Sequence, residues 1–168
     1  MRRMTKSSPA VAVDEAMSDL VIGRFHIRPE PRKRWFFRIF IFRDRETMHQ
    51  FRREQKKFEG ERCGGEGFAA EASHWRSLRI GRTGRVVRQG NDRGQAIFYA
   101  GRVGSGIVSH EMTHLAVFYL AANAAQRGRR FDPVRSHRDN ERLAYVQGDL
   151  VHQFWRRFYA RKLEKVCR

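Results

Sequence analysis

WFFRIFIFR, residues Trp35–Arg43, is built almost wholly from aromatic and β-branched side chains, the makeup of a strand. Alternate residues of a strand face opposite sides, so Phe37, Ile39 and Ile41 share one face and Phe36, Arg38, Phe40 and Phe42 the other. Apolar side chains on both faces place this strand in the middle of a sheet, or under cover on both sides. On its N-terminal side, Pro29 and Pro31 mark an extended lead-in, and residues 1 to about 20 show no periodicity and read as a flexible basic tail.

On its C-terminal side, Asp44 stands where an N-cap belongs, and a helix is expected from about Arg45 to Phe58. Met48, Phe51, Gln55 and Phe58 would form its thin stripe. Residues 59–67 hold four glycines and read as a loop. Leu78–Ile80 and Arg85–Val87 read as short strands joined through Thr83-Gly84, and after a turn at 90–94 the run Ala96–Ala100 reads as a third strand. A long helix should begin near Ser105 or Ser109 and stop near Gly128, a suitable C′ residue, with Leu115, Phe118, Tyr119 and Ala122 as its apolar side. A last helix begins between Pro133 and Asn140 and continues past Trp155 towards Leu163. Strand, helix, strands, helix, helix is the order of an α+β fold, with residues 21–168 as one domain after the tail.

The chain has 168 residues, enough to bury a core without staples, and 13 Phe and 3 Trp with which to build it. Its 35 Lys and Arg against 18 Asp and Glu leave a net charge of +17. Such a charge attracts polyanions, nucleic acid above all. The Arg residues are also spread along the chain, as they would be on ordinary solvated faces. Two cysteines, Cys63 and Cys167, make no disulfide framework. The apolar stretch that should follow a basic signal n-region is broken by Asp14, Glu15 and Asp19, and no run is long enough to span a bilayer. A cytoplasmic protein without a membrane partner is expected, with its oligomeric state left open.

Within the long helix, His110-Glu111-Met112-Thr113-His114 matches H-E-x-x-H. Residues four apart share a helical face, so both imidazoles can reach one zinc ion. Glu111, about 100° round the helix from His110, is placed to act as general base on a water at that metal. The competing reading is a helix whose histidines only pack or hydrogen-bond. A third protein ligand is needed. The extension with a further Gly and His is absent, since Val117 and Leu120 occupy those positions. Glu141, 27 residues after His114, and His137 are the candidates. Glu141 is favoured because Ala144 and Gly148, on its side of the last helix, would let that helix come close to the first. His152 shares that face but lies about 16 Å along the axis from Glu141, too far for one metal to bind both. Tyr145 and His152 are candidates for an oxyanion partner.

These residues resemble the small gluzincin-type zinc metallopeptidases, particularly the ImmA/IrrE-like proteins of phages and mobile elements. The resemblance rests on His110-Glu111-x-x-His114 followed by Glu141-x-x-Ala144, and would cover about Trp35 to Trp155. It implies a minimal zincin core: a short mixed or antiparallel sheet, an active-site helix beneath it and a second helix bringing the glutamate. It further implies one zinc ion, a protein or peptide substrate, and a sheet-edge strand, Ala96, Ile97, Phe98, Tyr99 and Ala100, that holds the substrate by main-chain pairing. The chain departs from the group at Thr113, where Gly is usual, and at Tyr145, where Asn is common. The alternatives are a basic nucleic-acid-binding protein with a structural or vestigial metal site, a phage structural or accessory protein whose zincin core only binds a partner, and a DNA-associated protease of the SprT-like kind. The last has His as its third ligand and would point to His137.

Overall fold

A computed structural model describes residues 20–31, 34–59, 70–74, 79–80, 85–86 and 91–167, without the side chains of 55–59 and of the strands between 70 and 86. The expectations for the tail before Leu20, for the loop after Glu59, for Thr83-Gly84, and for the side chains of Gln55 and Phe58 lie outside the described residues.

Strand β1 (Val21–Ile27) pairs antiparallel with β2 (Phe36–Phe42). Helix α1 (Arg45–Glu59) follows, then β3 (Ala70–His74), the two-residue partners β4 (Arg79–Ile80) and β5 (Arg85–Val86), and β6 (Asp92–Tyr99). A turn of 3-10 helix (Ala100–Arg102) leads into α2 (Ser105–Gln126), and α3 (His137–Ala160) precedes a last 3-10 turn at Leu163–Lys165. The main sheet has the order β1-β2-β6-β3, with β2 and β6 parallel and both edges antiparallel. The chain is therefore α+β with a mixed sheet. Among the described residues no helix is long and apolar enough to cross a membrane.

β2 behaves as its composition requires. Phe37, Ile39 and Ile41 join Phe25, Ile27, Ala96 and Phe98 in the larger core, against α2 and α3. Phe40 and Phe42 face the other way and pack with Met48 and Phe51 of α1 and with Ile97. Arg38 shares that second face and is only 5% exposed; its Nε meets Asp92 Oδ2 at 2.9 Å, so the buried charge is paired. Asp44 caps α1 through Thr47 N and Thr47 Oγ1, both at 2.8 Å.

β1 is an element that the proline-marked lead-in did not foretell. Its VIGRFHI run buries Phe25 and Ile27 and exposes Arg24 and His26, the alternation of a half-buried strand. Gly23 lies under the C-terminal turn: a Cβ there would come within 2.7 Å of Leu163 Cδ1. The larger core converges on Phe154 of α3, fully buried between Phe25 and Phe98 at ring separations of 5.5 and 5.2 Å. Burying such a side chain contributes about 1.5–3 kcal/mol.

The α2–α3 connection is closed by two devices. At the end of α2, Gly128 adopts φ +68°, Arg129 N bonds to Ala124 O and Gly128 N to Ala125 O, which satisfies the last carbonyls. Asp139, in the first turn of α3, is almost fully buried; it accepts both Arg129 guanidinium nitrogens, at 2.9 and 3.1 Å, and Asp132 N. That guanidinium, and then the Asp132 amide, hold its carboxyl below the usual carboxylate range.

Candidate metal centre

α2 meets the sheet with Val108, Met112, Leu115, Ala116 and Tyr119. Phe118 is half-buried and Ala122 is exposed, so the apolar side lies round from the stripe that the sequence pointed to. His110 and His114 occupy the exposed side, one turn apart. Their Nε2 atoms are 3.1 Å from each other, with the ring planes 85° apart. Two imidazoles on one tetrahedral zinc, with bonds of about 2.0–2.1 Å, have nitrogens about 3.4 Å apart. The pair therefore already spans nearly the right gap, whether a shared proton or a metal fills it. Partial burial, and then the charge of His110, push His114 below the ordinary imidazole value, which favours the neutral ring with its lone pair free. The ring of His114 is stacked near Phe118, at 6.2 Å, which restricts its orientation.

Glu111 is 5% exposed, at the border between the buried stripe and the histidine face. Thr113 Oγ1 donates to Ser109 O at 2.8 Å, so the residue found where the resembling group has Gly is satisfied within the helix.

The other sequence-derived candidates are not brought to this pair. α3 lies against the Ser109 side of α2, where Gln147 Nε2 donates to Ser109 Oγ at 3.0 Å. By the helical period that side is about 100° from His110. Glu141 and His137 are exposed, and among the described residues no group of three His, Cys, Asp or Glu side chains is close enough to hold one metal. The small residues do not line the contact between the helices: Ala144 is exposed, and a Cβ on Gly148 would meet nothing within 4 Å. α3 packs instead through Val146, Leu150, Phe154 and Phe158, whose apolar area outweighs any gain from close backbone approach. Tyr145, 76% exposed, and His152 share the outer side with Glu141. The residues present thus fit zinc as a two-imidazole half-site, and a third protein ligand is not assembled among the described residues.

The substrate-strand expectation is corrected as well. Ala96, Ile97, Phe98 and Tyr99 lie in β6, which is paired on both sides, with β2 and with β3. Its main chain has no open edge, and Ala100 falls in the 3-10 turn beyond it. The edge on that side of the sheet is β3, which also packs against α2. Its AEASH sequence is poor in β-branched and aromatic residues, which hid it from a composition reading.

Two features went unforeseen. Tyr119 OH donates to Glu30 Oε1 at 2.5 Å, and burial together with that carboxylate raises its pKa to about 12. A cavity of about 560 Å³ lies beside Trp155, Phe158 and Cys167, and neither histidine of the pair lines it. Compared with known proteins, the chain matches no family model, no curated protein and no solved structure.

Proposed function

We propose that the chain is a zinc-dependent hydrolase that cleaves peptide bonds, with His110 and His114 as metal ligands and Glu111 as general base. The observation that carries this reading is the 3.1 Å approach of the two Nε2 atoms on consecutive turns of α2, with Glu111 between them in sequence. Zinc bound there would polarise a carbonyl and lower the pKa of a water to about 7. Glu111 takes the proton of the attacking water and returns it to the leaving amine, a double role that one carboxylate can serve. His110 and His114 act as neutral ligands, the state that the depressed pKa of His114 favours. The antiparallel edge of β3, beside α2, is the main chain on which an extended peptide would pair.

The test is elemental analysis of protein purified without added metal, followed by turnover of a peptide mixture. About one zinc per chain, and cleavage lost in Glu111→Gln with the zinc retained, are the expected results. No zinc, and none taken up on titration at neutral pH, would reduce the pair to two hydrogen-bonded histidines.

A further inference from the structure

A cluster of positive charge lies far from the histidine pair in sequence, where the end of β1 meets the last turns of α3. Arg28 follows β1 directly. Its main chain is pinned to α3 by a reciprocal pair of bonds: Arg28 N donates to Gln153 Oε1 at 3.0 Å, and Gln153 Nε2 donates to Arg28 O at 2.7 Å. That clamp brings Arg28 within electrostatic reach of Arg157, one turn beyond Gln153, which also feels Arg156 and, just past the end of α3, Arg161. Arg161 reaches back over the Phe25 ring, with its guanidinium carbon 5.9 Å from the centroid, and Lys162 is exposed next to it.

These cations are close enough to feel one another. Burial, and then Arg156, Arg161 and Arg28, lower the Arg157 guanidinium from its ordinary value. His26, on the exposed side of β1, is lowered by burial and by Arg24, Arg38 and Arg157, with only Asp92 acting against them. Of the nearby carboxylates, Asp92 is engaged by Arg38 at 2.9 Å and Asp149 by Gln153 Nε2 at 2.7 Å, while Glu164, three residues after Arg161, has its Oε2 buried. Arg157 Nε is buried with no hydrogen-bond partner among the described residues. Like charges held together cost folding energy. Here the clamp and the aromatic contact hold Arg28 and Arg161 in that company, which an anion spanning several of them would relieve.

We propose that this surface, formed by Arg28, Arg156, Arg157, Arg161 and Lys162, is a docking site for the phosphate backbone of duplex DNA. A polymer of regularly spaced monoanions matches a row of guanidiniums, which pair with phosphate through two parallel hydrogen bonds. The patch favours a duplex over a single strand. Single-strand sites offer free ring faces on which bases stack, whereas here His26 is already stacked on Phe36 at 4.4 Å, and the exposed Tyr159, one turn from Arg156, on Trp155 at 5.8 Å. Binding through phosphates alone is independent of base sequence and strongly salt-dependent. The inference does not rest on the metal site.

The experiment is fluorescence anisotropy of a labelled mixed-sequence DNA duplex with the full chain, between 50 and 200 mM salt. Two variants of equal charge are compared. One is Arg28→Ser/Arg156→Ser/Arg161→Ser. The other is Arg127→Ser/Arg130→Ser/Arg135→Ser, at exposed positions around the α2–α3 turn. The first should bind at least tenfold more weakly, with a salt slope shallower by about 2.7, and the second should stay within twofold of wild type. Arg28→Ser/Arg156→Ser, which leaves the Phe25 contact intact, should show an intermediate loss if the triple variant melts early. Equal losses from the two triple variants would overturn the proposal in favour of a diffuse effect of net charge. So would binding to anionic phospholipid vesicles without binding to the duplex.

Discussion

Two helical faces, chosen from the same kind of spacing, came out differently. On α2, His110 and His114 stand one turn apart and their Nε2 atoms meet at 3.1 Å. On α3, Glu141, Tyr145, Gly148 and His152 also share one side, as a 3.6-residue period demands, yet that side looks outward. The first arrangement needs only the backbone of one helix. The second needed α3 to turn a particular side towards α2, and the rotation of a helix about its axis is set by whichever side buries most apolar area. Leu143, Val146, Leu150, Phe154 and Phe158 decide that rotation, and they lie opposite the polar row.

The contrast can be tested from its strongest consequence downwards. Glu111→Gln should lower peptide turnover by about 10²- to 10⁴-fold while zinc content stays near that of the wild type; unchanged turnover would remove Glu111 as the base. His114→Ala should abolish tight zinc binding, read as metal per chain after dialysis, because one imidazole cannot hold the ion. On the packed side of α3, Phe154→Ala should cost about 3–5 kcal/mol in denaturant unfolding, since it empties the junction of β1, β6 and α3.

Asp139→Asn should lower the melting temperature at pH 7 by a few degrees. The Asp139 carboxyl is depressed by Arg129, so its stabilisation is present above the unfolded value near 4 and is lost as the pH falls through the folded one. The variant should therefore show a flatter acid limb, and an identical acid limb would detach Asp139 from it. The outer side of α3 should give the smallest effects. Gly148→Ala should stabilise by up to about 1 kcal/mol, because the added methyl meets nothing and the helix gains propensity. Glu141→Gln should leave zinc content unchanged. A tenfold fall in zinc affinity would instead mean that metal binding draws the first turn of α3 towards α2.

Much of the fold was legible where the signal was local. β2 divides its side chains between two cores as the alternation of residues 36–42 required. Asp44 began a helix and Gly128 ended one where their chemistry said they should. What escaped was non-local. β1 is interrupted by Gly23, so only its second half, Arg24–Ile27, alternates cleanly, and its pairing with β2 completes it as a strand. β3 has little propensity of its own and exists by pairing with β6, so β6 looked like an edge when it is interior. The candidate site divides in the same way: the approach of His110 and His114 was legible within one helix, whereas the side that α3 turns outward, with Glu141, was not.

By itself, then, the sequence determined the two-sided central strand, the helix ends, the excess of positive charge and the convergence of His110 and His114, because each follows from contacts within a few residues or from composition. The tertiary structure alone decided the order of the strands, which strands form the edges, which side of α3 faces α2, and that Arg28 joins Arg156, Arg157 and Arg161. Those depend on how distant segments compete to bury apolar surface, a contest whose outcome no local spacing records.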